Sequence, residues 1–367
     1  PLPSPPEERT YNITVEADLP SPGDTIELRD EINNNWGWAN VTIYNYTDYG
    51  GKNLEFYTSG SVYGGFTYII GNSKYVGGNE EKYYEVEFDD VYPDGATPRF
   101  ARLYLYWVWS YKCKDYEYRC CDASPPQNPI SEPAPIEVDV KFNKKDLTSY
   151  VPYIETPHAT NYDVAWGAYA YDLPANYVKS DNNVVNITKI SPYCNYTDNK
   201  GNHTKYTFAI YGVGLLVAYN DSKGVLTNYW INEGADVLYG YANALHETDL
   251  VTTAVFNGTV EDISLANATL WTVVPGGSNE ETELRLNGKS IGKNVYNGSG
   301  DIGIDNRYVT DNLSTYNTAE IQLFKSEDSD GMMPTNAMLV VTYPPDLEPE
   351  VPTRLNANAG AFYNIPI

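Results

Sequence analysis

The residues best suited to chemistry in this chain are its four cysteines, Cys113, Cys120, Cys121 and Cys194. In an exported protein, four cysteines usually form two disulfides. A bond between the neighbours Cys120 and Cys121 would strain the backbone, so it is disfavoured. We expect Cys113 to pair with one of these two and Cys194 with the other. Disulfides between chains, which would give detergent-resistant assemblies, are the alternative.

The remaining chemistry-bearing groups show no catalytic or metal-binding pattern. The three histidines, His158, His203 and His246, share no metal-ligand spacing, and no cysteine accompanies them in a zinc pattern. The sequence holds no nucleophile elbow, phosphate loop or dinucleotide fingerprint. We therefore expect no enzyme and no catalytic residues. A hydrolase would need a pair of carboxylates in a cleft, which the sequence alone does not place.

Two acidic segments have the oxygen-rich composition of calcium loops. They are residues 326–331 (SEDSDG) and 198–202 (DNKGN). Neither follows the full EF-hand spacing, and ordinary acidic turns account for them better. We expect no cofactor, and calcium is the one ion that the sequence leaves open.

The chain contains eleven Asn-x-Ser/Thr sequons, and several would arise by chance in a sequence so rich in these residues. Their number and their turn-like surroundings favour a glycosylated surface protein whose partners include N-linked glycans. The candidate asparagines are Asn12, Asn40, Asn45, Asn186, Asn195, Asn202, Asn220, Asn257, Asn267, Asn297 and Asn312.

Composition narrows the class of protein. The net charge of −25 over 367 residues leaves no basic patch for phosphates, so nucleic acid is not an expected partner. The longest apolar run, residues 210–219, is too short to span a bilayer, so we expect no membrane span. The chain begins at Pro1 without an apolar leader, which is the pattern of a mature exported protein. Tyrosine outnumbers phenylalanine 35 to 9, which suits strand faces and subunit contacts equally well.

The strongest organisational signal is an internal repeat. From Leu103 the chain runs LYLYW, VDVKFN, AYDLPANYVKSDNNVVNITKI and GVGLLVAY; from Leu270 it runs LWTV, ELRLNG, RYVTDNLSTYNTAEIQLFKS and NAMLVVTY. In each series an alternating strand ends at an asparagine, Asn143 or Asn287, before a polar turn. The first copy is longer, and all four cysteines lie in its extra residues.

The patterning predicts an all-β protein of two tandem, duplicated antiparallel β-sandwiches that resemble jelly rolls, with extended N- and C-terminal arms. Short strands alternate in hydrophobicity or are apolar on both faces, and turn signals separate them. Residues 53–70 are interpreted as a pair of strands, and residues 236–256 as their counterpart in the second copy. The predicted domains are an arm (1–35), copy one with its cysteine insertions (36–222), copy two (223–346) and a tail (347–367).

The ordered landmarks RLYLYW, VDVKFN, GVGLLVAYND, WINEGADVL, TAVFNGT and NAMLVVTY resemble a domain family of undetermined biochemical function in cell-surface proteins of methanogenic archaea. The resemblance covers residues 54–343. It implies an extracellular, duplicated β-sandwich without known catalysis, and the cysteine-bearing insertions depart from the plain family pattern.

We accordingly expect a structural, self-assembling cell-envelope protein, a sheath or surface-layer subunit that polymerises with itself through strand edges and tails. The alternative is a secreted carbohydrate-binding or adhesive module. In that alternative, exposed Trp36, Trp38, Trp166 and Trp230 would stack on sugars, although a place in the core explains these tryptophans better.

Overall fold

The computed structural model describes residues 52–78, 81–113, 131–156, 164–198, 201–239, 250–277, 282–296, 301–324 and 331–344. In these segments the regular structure is antiparallel β-strand, with three single 3₁₀ turns at Ala175–Tyr177, Ile263–Leu265 and Thr310–Asn312. The all-β prediction is confirmed. The predicted arm at 1–35 and the tail at 347–367 lie outside the described residues.

One large sheet and two four-stranded sheets make up the body, with strands numbered along the chain. The large sheet runs in the order β19 (Ile302–Tyr308), β16 (Asn267–Pro275), β22 (Asn336–Thr342), β13 (Val225–Glu233), β1 (Glu55–Ile69), β12 (Ala209–Asn220), β3 (Thr97–Cys113), β8 (Ala165–Leu173) and β7 (Val151–Glu155), with β4 (Ser131–Pro133) paired to β3. The first four-stranded sheet is β2 (Tyr83–Phe88), β9 (Asn183–Ser191), β5 (Glu137–Phe142) and β6 (Lys145–Leu147). The second is β15 (Val251–Phe256), β20 (Asn317–Leu323), β17 (Thr282–Leu286) and β18 (Lys289–Lys293). Two separate strand pairs complete the set. They are the hairpin of β10 (Tyr193–Asp198) with β11 (Gly201–Tyr206), and the pairing of β14 (Leu238–Tyr239) with the distant β21 (Gly331–Met332).

The two halves of the large sheet have the same pairing order on either side of the β1–β13 contact. The order β1-β12-β3-β8 on one side matches β13-β22-β16-β19 on the other, and the small sheets β2-β9-β5-β6 and β15-β20-β17-β18 match as well. The repeated segments that begin at Leu103 and Leu270 fall on corresponding strands, β3 and β16. This agreement of topology supports the proposed duplication, and the large sheet runs without a break through both halves.

The two repeat asparagines form the same hydrogen-bonded clasp. The Asn143 amide donates to the carbonyl of Tyr177 at 2.8 Å and to Asn183 Oδ1 at 2.9 Å, and its own Oδ1 accepts from the Val184 N–H at 2.9 Å. Asn143 and Asn183 both lie beside the 3₁₀ turn Ala175–Tyr177, and Asn183 is fully buried. The clasp fastens the β5–β6 hairpin to β9.

In the second half, Asn287 makes the equivalent bonds. Its amide donates to the carbonyl of Asn312 at 2.8 Å and to Asn317 Oδ1 at 2.9 Å, and its Oδ1 accepts from the Thr318 N–H at 2.9 Å. Asn287 and Gly288 have φ values of 52° and 75°, the left-handed pair of a type I′ hairpin turn. The turn predicted at Asn287-Gly288 is therefore confirmed.

We expect Asn143→Gly and Asn287→Gly to lower the free energy of unfolding by about 2 kcal/mol each, because each leaves a backbone N–H without its acceptor and removes one hydrogen bond to a buried asparagine. Glycine keeps the positive φ free of strain, so the loss reports the side-chain bonds alone. Chemical denaturation measures it, with Asn306→Gly, an exposed site on the edge strand β19, as the control. Very unequal losses at 143 and 287 would contradict the equivalence of the two clasps.

The segment predicted as a pair of strands is instead the single strand β1, and it changes partner along its length. Its first part pairs with β13 and its last part, from Gly64 onward, with β12. A Cβ on Gly64 would lie 2.0 Å from the carbonyl oxygen of Tyr219, so only glycine fits at the crossing. The prediction that residues 236–256 are the counterpart of this segment is also wrong. The strand of the second half that corresponds to β1 is β13. Among the described residues, 236–256 form β14 and β15, and β15 corresponds to β2.

Candidate functional site

The large sheet folds across itself, and this is what creates the buried polar site. Tyr106 on β3 donates to Asn336 Oδ1 on β22 at 2.7 Å, although β22 is four strands away. In a flat sheet that separation would be about 19 Å, beyond the reach of the two side chains. The two halves of the sheet therefore face each other. A core of aromatic and aliphatic residues fills the space between them, including Tyr104, Val273 and Met338.

Three hydrophobic cores result from this arrangement. The first small sheet covers the Leu103, Leu105 and Trp107 face of β3, and the second covers the Leu270 and Leu339 face of the other half. The three cores separate four stacked layers: the first small sheet, the two halves of the large sheet and the second small sheet. This explains why the strands LYLYW and LLVAY are apolar on both faces, as the sequence predicts for central strands.

An ion pair lies in the core between the halves. The Arg102 guanidinium on β3 grips the Glu233 carboxylate on β13 with two hydrogen bonds of 2.6 and 2.7 Å, and its third nitrogen donates to Asp172 at 2.5 Å. Two hydroxyls, from Tyr104 at 2.6 Å and Tyr153 at 2.9 Å, donate to the same carboxylate. Arg102 and Glu233 are inaccessible to solvent, whereas the Asp172 side chain is exposed. We call these five residues the clamp.

Burial and charge set the protonation of the clamp. Burial alone lowers the pKa of Arg102, but the hydrogen bonds and charge of Glu233 outweigh it, and the pKa is raised overall. Burial raises the pKa of Tyr104 well above its usual value, and the negative charge of Glu233 adds to this. The Arg102 guanidinium thus stays cationic, and the Tyr104 phenol stays protonated.

The outer side of the clamp is closed by Tyr57. Its ring lies over the guanidinium of Arg102, with 3.8 Å between the guanidinium carbon and the ring centroid, and its hydroxyl donates to Asp172 at 2.8 Å. Burial and the bond to Asp172 raise the pKa of Tyr57 to about 12. Each carboxylate oxygen of Glu233 accepts two bonds, so the clamp acts as a strut between the halves.

A second buried cation lies in the core between the first small sheet and the large sheet. Lys189 on β9 has no solvent exposure; its ammonium donates to the carbonyl of Gly77 at 3.1 Å and lies 5.6 and 5.4 Å from the ring centroids of Tyr206 and Phe208. Burial lowers the pKa of Lys189 to about 8, against a smaller opposing effect of Glu81. An open cleft of about 490 Å³ lies next to the buried Lys189 and is lined by Tyr193 and Asp139.

A larger cleft of about 700 Å³ opens beside the crossing of β1. Its walls come from β1, the β12–β13 turn, the loop after β15 and the end of β22. They carry Tyr63, Asn228, Glu261, Asp262 and Tyr343. Sequence reasoning missed this cleft, because its residues are far apart in the chain and share no spacing pattern.

The predicted disulfide cysteines are partly described. Cys113 at the end of β3 and Cys194 on β10 are both disulfide-bonded. Cys120 and Cys121 lie outside the described residues, so the pairing stays a prediction.

The predicted glycosylation sites differ in their settings. Asn195, Asn257 and Asn267 are exposed, Asn220 and Asn312 are half-buried, and Asn186 is half-buried with its amide bonded to Glu85. Asn202 is on β11, and the other four, Asn12, Asn40, Asn45 and Asn297, lie outside the described residues.

The interpretation of the tryptophans as core residues is confirmed for the two that the structure describes. Trp166 and Trp230 are 4% and 6% exposed, so they are core residues and offer no face to a sugar. Trp36 and Trp38 lie outside the described residues.

The histidines and acidic segments fall largely outside the description. His158, His246 and most of 326–331 are not described, and of 198–202 only the strand positions are. Among the described residues, no three His, Cys, Asp or Glu side chains are grouped as a metal site. No helix in the described part of the chain is long and apolar enough to cross a membrane.

A family model described as a protein of unknown function matches residues 47–342. No curated protein matches the sequence. Among solved structures, PNGase F, a glycosylasparaginase from Flavobacterium meningosepticum, is 11% identical with a TM-score of 0.22, over 76% of this chain and 96% of that one. The plant receptor-like kinase ANX2 is 9% identical with a TM-score of 0.22, over 71% of this chain and 80% of that one. Likeness this weak carries no argument about fold or activity.

Proposed function

The chain belongs to the protein family of unknown function DUF3344, and we propose that it is a structural, self-assembling protein of the cell surface. In its finer form, the proposal is the subunit of a methanogen sheath or surface layer. The protein would be extracellular, would carry N-linked glycans and would have itself as its main partner. The surfaces that perform its function would be strand edges that bind a second copy of the chain, and not a catalytic centre.

The observation that carries the proposal is where the exposed aromatic side chains lie. Tyr308 and Tyr83 are 87% and 73% exposed, the highest values among the large hydrophobic residues described. Tyr308 ends β19, which forms one edge of the large sheet, and Tyr83 begins β2, which forms one edge of the first small sheet. An edge strand presents unpaired main-chain groups, and a tyrosine on it adds contact area for a second copy.

The body that presents these edges suits a load-bearing role. The clamp and the Tyr106–Asn336 bond tie the two halves through buried hydrogen bonds, and those of the clamp are charge-assisted, so the edges are held at fixed positions. Edges at different places on one subunit give head-to-tail contacts, which build an open polymer where the rotation from one subunit to the next does not close a ring. The other end of the large sheet, β7, carries Pro152, a residue that limits pairing at an edge.

Electron microscopy of the natively isolated protein, with and without chelator and reductant, tests the proposal. We expect tubes, sheets or fibres. Dispersed particles under every condition would rule the polymer out.

Charging the edges should block assembly. We expect Tyr308→Lys with Tyr83→Lys to raise the protein concentration needed for polymer by at least about tenfold, because edge lysines oppose pairing. Light scattering over a concentration series measures this. The matched control is Tyr316→Lys, since Tyr316 is 71% exposed but precedes β20 instead of lying on an edge strand. Equal effects of the double variant and the control would remove the edges from the mechanism.

A further inference from the structure

The cleft beside the β1 crossing has a preformed wall. The Asn228 side-chain carbonyl accepts from the Ser61 hydroxyl at 2.7 Å, and the Tyr343 hydroxyl donates to the carbonyl of Glu261 at 2.9 Å. The Tyr343 N–H also donates to the carbonyl of Leu226 at 3.0 Å, which fixes the end of β22 against β13. These bonds connect four separate chain segments, so the cleft keeps its shape without a ligand.

The rim of the cleft presents a free aromatic ring on a fixed backbone. The Tyr63 N–H donates to Asn220 Oδ1 at 3.0 Å, and its carbonyl accepts from the Asp221 N–H at 2.8 Å. The side chain of Tyr63 nevertheless remains 52% exposed. A flat ring on an immobile backbone can stack on a ligand at a low cost in conformational entropy.

Most of the polar groups that line the cleft with that ring can accept hydrogen bonds, and Lys223 adds an ammonium group. Glu261 and Asp262, which contribute two carboxylates to the same lining, are both exposed. Carboxylates accept hydrogen bonds from hydroxyl groups and repel phosphates and other anions. An aromatic face with several acceptors matches a neutral ring that carries many hydroxyls on its edges and C–H groups on its faces. A volume of about 700 Å³ holds a short oligosaccharide.

Two sequons also meet at this cleft. Ser222 completes the sequon of Asn220 and Thr259 completes that of Asn257, and both hydroxyl residues line the cleft. A glycan attached there would start at the rim. The sugar could therefore be free in the surroundings or be carried by this protein.

We propose that this cleft is a saccharide-binding site for a neutral pyranose unit. Tyr63 stacks on the face of the ring, and Glu261 and Asp262 accept bonds from its hydroxyls. The site is independent of polymer formation, because neither Tyr308 nor Tyr83 lines it.

Calorimetric titration of the full-length, non-glycosylated protein with cellotriose, chitotriose and mannotriose tests the site. We expect at least one of them to bind, and Tyr63→Ala to weaken that binding at least about tenfold, the loss expected for a stacked aromatic anchor. The matched control, Tyr308→Ala, removes an exposed tyrosine elsewhere and should leave the affinity unchanged. Absence of binding by all three sugars, or binding that survives Tyr63→Ala, would overturn the proposal.

The glycosylated protein distinguishes the two sources of sugar. If an attached glycan occupies the cleft, the glycoprotein will bind the trisaccharide only after Ser222→Ala or Asn257→Gln removes the sequon that carries that glycan, and Ser222→Ala leaves the bond from the Tyr63 N–H to Asn220 in place. If the glycoprotein binds as well as the bare protein, the sugar comes from outside. Both results support the site. Thermal unfolding of each variant confirms that exposed Tyr63 has been changed without loss of the fold.

Discussion

Replacing Glu233 by glutamine is expected to lower the free energy of unfolding by about 3–5 kcal/mol, because it leaves the charge of Arg102 buried without its main partner. The guanidinium would keep the ring of Tyr57 and the carboxylate of Asp172, and the Asp172 side chain faces solvent. Breaking one member of a buried pair costs far more than the net contribution of the pair, since desolvation of the remaining charge is no longer offset. Denaturant unfolding gives the free energy of unfolding of each protein from the midpoint and the slope of its transition.

The double variant distinguishes charge from packing. Adding Arg102→Met to Glu233→Gln removes the orphaned charge, and glutamine still offers an acceptor oxygen to Tyr104 and Tyr153. We therefore expect the double variant to recover more than half of the loss. If both variants were equally unstable, the clamp would stabilise by shape and not by charge.

An exposed ion pair supplies the control. Lys141 and Asp146 approach to 2.8 Å, but their side chains are 49% and 68% exposed. Solvent screens such a pair, so Lys141→Met should leave stability unchanged. A large effect there would mean that the method responds to loss of any charge.

The pattern of strands could be predicted from the sequence because it depends on local order. Leu284 and Leu286 are buried as the alternation TELRL requires, and Val140 and Phe142 are buried in β5. Asn143 and Asn287 were recognised as landmarks by position alone, and the structure adds the reason: each one holds a hairpin to the next strand.

The clamp could not be predicted, although a signal was present. Arg102 opens the otherwise apolar run RLYLYW and Glu233 ends the buried run of β13, so each is a charge at an inward position. Sequence does not say which two such charges meet, since their contact depends on the folding of the large sheet across itself. The partner change at Gly64 was missed for the same reason, because alternation specifies a strand and not its neighbours.

Lys189 shows a different case, a charge at an inward position whose ammonium group donates to a main-chain carbonyl, that of Gly77. In β9 the inward residues are Asn183, Val185, Ile187 and then Lys189. We expect Lys189→Met to stabilise the protein most at neutral pH and progressively less as the pH approaches 10.5. A folded pKa of about 8 against an ordinary value of 10.5 means that the folded state disfavours the ammonium form.

The sign of the pH effect follows from proton binding. Between pH 8 and 10.5 the unfolded chain keeps a proton on Lys189 that the folded chain has released, so the stability of the unaltered protein rises with pH in this window. At 1.36 kcal/mol per pKa unit, the rise is about 3 kcal/mol relative to the methionine variant. Other titrating groups, tyrosines included, are common to both proteins and cancel in the difference. Unfolding free energies of the unaltered protein and of Lys189→Met at pH 7 and pH 10 measure this rise.

Lys189→Arg is the control, because a guanidinium stays charged throughout this pH range. The stability of Lys189→Arg relative to Lys189→Met should therefore not change with pH. A difference between the unaltered protein and Lys189→Met that does not change with pH would show that the buried ammonium is fully compensated by Gly77, the two rings and Glu81.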